Sequence, residues 1–332
     1  MSNKIALLMA VSEDQRDLNW LKSSLQAALE LELSTIPPYL CGLWSVKDDT
    51  DPVGNLIRSV VLEEMLHLGL ACNLLTAVGG TPRIHDGFKE IVYPGPLPGG
   101  VRPNLTVYLA GLSKLYIQQV YLQIEYPEDG PVHLGLAATE TFPTIGNFYD
   151  TILERFKLLN PKPTTDKQLS NGDVGLVVIK TLGDVEQAIT LIKHQGEGTR
   201  QSPQVPGSMN NELAHYYKFA EILFERTLQQ TDGKWDFTGA AIPFPATYPV
   251  VQVPAGGFQN APDGVRKDLD KFNQAFAELL GKLDGAWSKG AQSVLDTSVG
   301  MMGALSAAVV PLMQVKLPDN SGVYGPEFRL PG

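Results

Sequence analysis

Two of the five histidines stand in the same local setting, Glu64-Met65-Leu66-His67 and Glu212-Leu213-Ala214-His215. On a helix, residues three apart share a face and reach a common point. Two such pairs on facing helices, with one glutamate from each of two others, build a di-iron or di-manganese carboxylate site inside a bundle. A single Glu-x-x-His arises readily by chance, as a solvated glutamate beside a histidine with an internal partner. Two copies that use two of only five histidines are much harder to obtain that way.

The faces on which these residues fall sharpen the argument. Glu64 shares a stripe with Ile57, Val60, Val61, Leu68 and Ala71, and Glu212 and His215 share one with Phe219, Ile222 and Leu223. A carboxylate on an apolar stripe is costly unless it is paired or holds a metal. The first helix offers Glu30 and Glu32. Glu30 keeps company with Ser23, Gln26 and Ser34 and is expected to face water; Glu32 falls with Leu21, Leu25, Ala28, Leu29 and Ile36 and is expected in the core. Glu32 is therefore the candidate ligand, and Glu64 is preferred to Glu63.

The remaining pattern is mainly α, a helical bundle with long loops and further C-terminal helices. Helices are expected from Ser12 to Ile36, ended or kinked at Pro37-Pro38; from Val53 to Val78, ended by Gly79-Gly80; and over Leu109–Glu125, Thr144–Leu159, Val185–Gln195, Asn210–Leu228, Val265–Trp287 and Ala291–Met313. The N-terminal apolar run reads as a lead-in strand or packed tail. Residues 80–104 are rich in glycine and proline, and a loop of that length is usually functional. Residues 1–232 are expected to form the metal-binding bundle, and 233–332 an extension packed on the same domain.

The charge balance narrows the partners. Lys and Arg number 26 against 36 Asp and Glu, a net charge of −10, with no basic run. Nucleic acid and anionic membrane are excluded as partners on this ground, and the apolar runs fall short of the ~18–20 residues of a membrane span. The only cysteines, Cys41 and Cys72, lie in apolar helical sequence and make neither a disulfide framework nor a cysteine zinc site. A cytoplasmic protein is expected. His85, His133 and His194 have no partners at ligand spacing and read as structural, as do Trp20, Trp44 and Tyr39.

Leu29-Glu30-Leu31-Glu32-Leu33-Ser34-Thr35-Ile36-Pro37-Pro38-Tyr39-Leu40, followed by Glu63-Glu64-Met65-Leu66-His67, resembles the ferritin-like family of the iminophenyl-pyruvate dimer synthase type. That family includes the ferritin-like domain of violacein and rebeccamycin pathway enzymes. Further matches are Pro94-Gly95-Pro96-Leu97-Pro98-Gly99-Gly100, Ile124-Glu125-Tyr126-Pro127-Glu128, Thr144-Ile145-Gly146-Asn147-Phe148-Tyr149, Gln195-Gly196-Glu197-Gly198 and His215-Tyr216-Tyr217-Lys218-Phe219. The resemblance spans about residues 14–230. It implies Glu32, Glu64, His67, Glu212 and His215 as metal ligands. Glu125, on a family motif, is the preferred sixth, with Glu197 the alternative. The family usually has glutamate where this chain has Asn147, either a helix cap or a lost ligand.

Three readings follow. The first is a non-haem oxidase of secondary metabolism holding two iron ions, with manganese the alternative, and acting on an aromatic or amino-acid-derived small molecule. The second is a ferritin-like metal-binding protein without small-molecule turnover. The third keeps the fold with a site impaired at Asn147. An oxidase requires a cavity beside the metals, expected between the first two helices and the helix after Asn210, with Tyr39 and Tyr216 as walls and residues 79–103 as a cover. The metal site itself leaves a homo-oligomer open.

Overall fold

The computed structural model describes residues 3–128, 130–132 and 144–331. The chain opens with a short helix, α1 (Lys4–Ala10), rather than a strand. Lys4 Nζ reaches Glu30 Oε1 at 2.9 Å. Glu30 is consequently buried and paired instead of facing water. Helical period identifies a stripe but not what lies over it; here α1 supplies both the cover and the cation.

Helix α2 runs unbroken from Leu18 to Ser45, with both prolines inside it. Asp17, not Ser12, caps it, accepting the Trp20 N–H at 2.9 Å. Pro38 has no N–H for the carbonyl of Ser34, four residues back, which normally ends a helix. The Tyr93 hydroxyl donates to that carbonyl at 2.5 Å, so the helix continues through the gap. Helix α3 (Pro52–Ala77) starts on the Asp51 cap and lies along α2. Between them these two long helices carry Glu32, Glu64 and His67 to the middle of the bundle.

After α4 (Ile84–Phe88) the chain is irregular as far as Ser113, with one 3-10 turn at Pro98–Gly100. The helix expected from Leu109 starts later because Leu109 and Gly111 are paired elsewhere: the Gly111 N–H donates to Val250 and the Val253 N–H to Leu109. Ser113 caps α5 (Lys114–Tyr116), which passes through a π-helical turn (Ile117–Tyr121) into α6 (Leu122–Ile124). Such turns insert an extra residue and are frequent at functional sites. This one sets Glu125 just beyond the helix end.

Helix α7 (Ile145–Leu159) packs along α8 (Leu182–Glu197), which continues through Gly196, the expected stop, to a positive-φ Gly198. Helix α9 is shorter than expected, His215–Phe224. A small antiparallel hairpin follows, β1 (Gln229–Thr231) and β2 (Lys234–Asp236), with Gln230 opposite Trp235. Helices α10 (Asp263–Lys289) and α11 (Gln292–Val309) pair with each other. Helix α10 is tied to the first half of the chain: Trp287 Nε1 donates to Asn73 Oδ1 at 2.9 Å, and Asp284 accepts backbone N–H groups of Ile84 and His85.

Contrary to the sequence expectation, two helices are long and apolar enough to span a membrane, Pro52–Ala77 and Gln292–Gln314. The first is 83% buried inside the bundle, as a core helix is; the second is only 22% buried.

Candidate metal centre

Five side chains from four elements converge in the bundle interior: Glu32 from α2, Glu64 and His67 from α3, Glu125 just after α6, and His215 at the first position of α9. They form two overlapping groups, Glu32–Glu64–His67 and Glu64–Glu125–His215, with the ligand atoms of each group within 4.8 Å of one another. Glu64 belongs to both. Its Oε1 lies 3.7 Å from His67 Nδ1 and 2.8 Å from His215 Nδ1. Glu32 Oε2 is 3.6 Å from His67 Nδ1, and Glu125 Oε2 is 3.6 Å from His215 Nδ1. The two imidazoles are stacked, with centroids 5.5 Å apart.

Each of the five groups is held by its outer atom, which leaves its inner atom turned to the centre. Tyr149 OH donates to Glu32 Oε1 at 2.5 Å, Thr35 Oγ1 to Glu64 Oε2 at 2.6 Å, and Tyr39 OH to Glu125 Oε1. Gln195 Oε1 lies 2.9 Å from His67 Nε2, and Glu63 Oε2 lies 2.7 Å from His215 Nε2. Outer partners of this kind fix the tautomer and aim of metal-ligating side chains. None was singled out from sequence for this task, although Glu63 was weighed as a ligand and Tyr39 as a wall.

Glu212 is not brought to the centre. The chain is extended at Glu212 (ψ 138°) and Ala214 (ψ 158°), so the second Glu-x-x-His is not on a helix. The segment is held straight by the Gln204–Leu213 bridge and by Ala214 N–H to Pro203 O. Extended residues advance about 3.3 Å each against 1.5 Å in a helix, which carries Glu212 away from His215. It instead accepts a hydrogen bond from Lys218 Nζ at 3.1 Å, with its side chain 38% exposed. Lys218 is buried and also binds Glu63, at 2.7 Å.

Glu197, the last residue of α8, lines the cavity beside Glu32 and Glu125 but belongs to neither converging group. Burial pushes its carboxyl up to about 7, against the opposing pull of the Glu128 N–H. Asn147 is exposed, and its backbone N–H donates to the capping Thr144 Oγ1 at 3.1 Å. That position is a first-turn helix position away from the centre. His85 and His194 lie away from it too, and His133 falls outside the described residues. Tyr216 packs edge-on against Tyr126 and does not line the cavity.

A ferritin-like family model matches residues 25–224, a span that contains all five converging side chains. The chain belongs to the ferritin-like family. A solved structure described as a ferritin-like protein from Caulobacter vibrioides superposes with a TM-score of 0.65 at 22% identity, covering 94% of this chain and 97% of that one. At that identity the likeness concerns the fold. No curated protein matches the chain.

Metal is implied by the ferritin-like fold, and the donor set accommodates it. His215 Nδ1 is fully buried and makes no hydrogen bond, although Glu64 Oε1 is only 2.8 Å away. A buried ring nitrogen without a hydrogen bond, this close to a carboxylate, suits a site where both atoms would address a common ion. A mixed carboxylate and imidazole set suits iron and manganese. Without a metal, this ferritin-like protein must hold protons there. Burial and the neighbouring Glu125 raise the Glu64 carboxyl, while His215 and His67 pull the other way. Burial alone would lower both histidines, but the surrounding glutamates outweigh it and raise His67 and, further, His215. Divalent ions would displace such protons and neutralise three carboxylates that a dry core otherwise tolerates poorly.

Proposed function

We propose that this ferritin-like protein carries a dinuclear iron centre and reacts there with a water-sized oxidant such as dioxygen or peroxide. One observation supports the reading: Glu64 is shared by two buried carboxylate–imidazole groups, so one carboxylate could serve two ligand sets. Glu32 and His67 would hold one ion, Glu125 and His215 the other, and Glu64 would bridge. Manganese is the alternative metal for the same donors. Two bound irons supply one-electron chemistry toward oxygen. The protein's own part is positional. Tyr149, Thr35 and Tyr39 fix the carboxylates, Gln195 and Glu63 fix the rings, and Glu197, its carboxyl pushed up to about 7, can take or give a proton at the cavity wall.

The space beside the centre selects the reactant. The adjoining cavity, bounded by Thr35, Gly146, Tyr149, Gly196 and Glu197 among others, is about 40 Å³. Among the described residues that is room for a few waters, well below the roughly 300 Å³ at which small-molecule sites begin. The expected substrate chamber walled by Tyr39 and Tyr216 is absent among the described residues: Tyr39 is bonded to Glu125 and Tyr216 stands outside. This favours metal chemistry with small oxidants over enclosed oxidation of an aromatic substrate.

A second reading, an oxidase of the iminophenyl-pyruvate dimer synthase type, rests on the sequence motifs from Leu29 to Leu40 and beyond. The two are separated by oxygen consumption. Protein loaded anaerobically with ferrous iron is exposed to oxygen with and without an imine generated from an aromatic amino acid. About two irons per chain, with uptake of oxygen that the imine leaves unchanged, is the expected result. Imine-dependent turnover would establish the second reading, and failure to take up ferrous iron would refute both.

A further inference from the structure

Beyond the metal centre, a second cavity of about 370 Å³ lies on a different face of α2 and α3, between them and the α10–α11 pair. Its walls are almost wholly apolar and include Leu33, Leu40, Met65, Leu283 and Met302. Protein interiors are packed with few voids larger than a water, whereas small-molecule sites run from about 300 to 1,000 Å³ and are mostly apolar with a few polar groups. This space therefore has the size and lining of a ligand site rather than a packing fault.

Three features define what would fill it. The cavity is open along α11: Gly303 lines it, is exposed, and would carry a Cβ that meets nothing within 4 Å. Several polar groups of the walls are already engaged: Trp287 Nε1 donates to Asn73, Ser306 Oγ to Gly303 O, and Asn171 Oδ1 accepts the Asp173 N–H. The lining has one cation among the described residues, Arg58, one helical turn before the exposed Leu62. Its guanidinium donates to Asn55 Oδ1 at 2.5 Å and Asp49 O at 3.1 Å, but no carboxylate pairs with it among the described residues. Positions 58, 62 and 66 of α3, each four apart, lead from this cation into the apolar space.

We propose that this cavity binds a long-chain carboxylate, a fatty acid or a molecule of that shape, with its head at Arg58 and its tail between α3 and α11. An apolar chain suits walls that are almost wholly apolar, and an anionic head complements Arg58, which no carboxylate pairs among the described residues. Helix α11 has a single charged residue, Asp296, and is largely uncovered. It forms one wall that can adjust to tails of different length.

The test uses the full chain loaded with iron and a dibrominated stearate as probe, because bromine quenches nearby indoles and Trp44 and Trp287 both line the cavity. Saturable quenching is expected. Gly303→Phe should abolish it, while helix content and iron content stay as in the parent. Arg58→Gln, a change at the rim, should weaken the carboxylate about tenfold, the value of a lost charge-assisted hydrogen bond, and leave the corresponding alcohol unaffected. Absence of saturable quenching, or quenching unchanged in both variants, overturns the proposal. So does sedimentation that shows α11 buried between two copies of the chain, or quenching that appears only when the probe is in phospholipid vesicles.

Discussion

Glu63 and Glu64, neighbours in the chain, address opposite nitrogens of one ring: Glu63 Oε2 lies 2.7 Å from His215 Nε2, and Glu64 Oε1 lies 2.8 Å from Nδ1. One residue holds the imidazole from behind and the other shares its inner face. Substitution of either therefore disturbs the same histidine, with different consequences.

Glu64→Gln should remove both metal ions, because the bridging carboxylate belongs to each ligand set. His67→Ala and His215→Ala should each empty one position and leave the other partly filled. Metal-to-protein ratios by native mass spectrometry check this. Two ions retained in Glu64→Gln would break the shared-ligand assignment.

Glu125→Gln should lose metal at the His215 position, whereas Glu212→Gln should keep the parent stoichiometry. Glu212 holds Lys218 at a site 38% exposed, so its change should cost no more than about 1 kcal/mol. Metal titration and thermal unfolding of the two variants, measured side by side, decide the point.

Gln195→Leu and Glu63→Gln should preserve the fold and weaken metal binding by about 10–100-fold, the usual cost of removing an outer partner from a metal-bound histidine. Competition against a chelator of known affinity reads the change. An unaltered affinity in both would mean that ring orientation is set elsewhere.

Tyr93→Phe should destabilise the protein by about 1–2 kcal/mol. The loss leaves the Ser34 carbonyl, bypassed by Pro38, without its donor. Denaturant unfolding measures it, and α2 should fray around the proline pair in hydrogen exchange.

The C-terminal tail should release in acid. Burial would raise Glu327, but Arg266, Asn273 and the Phe258 N–H outweigh it and hold the carboxyl below its usual value. A carboxyl lowered in the folded state contributes stability that is complete above the unfolded pKa, about 4.3, and is lost as pH falls through the lower folded value. Trp44 stacks on Phe328 at 5.9 Å, so its fluorescence follows the tail. Glu327→Gln should cost on the order of 2 kcal/mol and erase the acid transition.

Much of the bundle was legible because long apolar helices announce themselves by period and caps: α3 begins at the Asp51 cap and ends before Gly79-Gly80. The choice of Glu32 over Glu30 and Glu64 over Glu63 followed from the same periodicity, and those are the residues the structure brings together. What escaped depended on contacts distant in sequence. Tyr93 rescues a helix whose local sequence says stop, and the strand-like pairing of residue 213 with 204 straightens a segment whose local pattern says helix. The second failure cost Glu212 its place. Glu125 was reached through a family motif, since no periodicity marks a residue that sits one step past the end of a short helix following a π-helical turn.

The centre gathers residues as far apart in the chain as Glu32 and His215. Ions held there would act as a cross-link that closes loops far longer than a hairpin, and folded protein would be favoured by mass action as metal rises above its dissociation constant. The lifetime of this chain in a cell would then track the local iron supply, with starvation exposing it to proteolysis before any catalytic deficit became apparent.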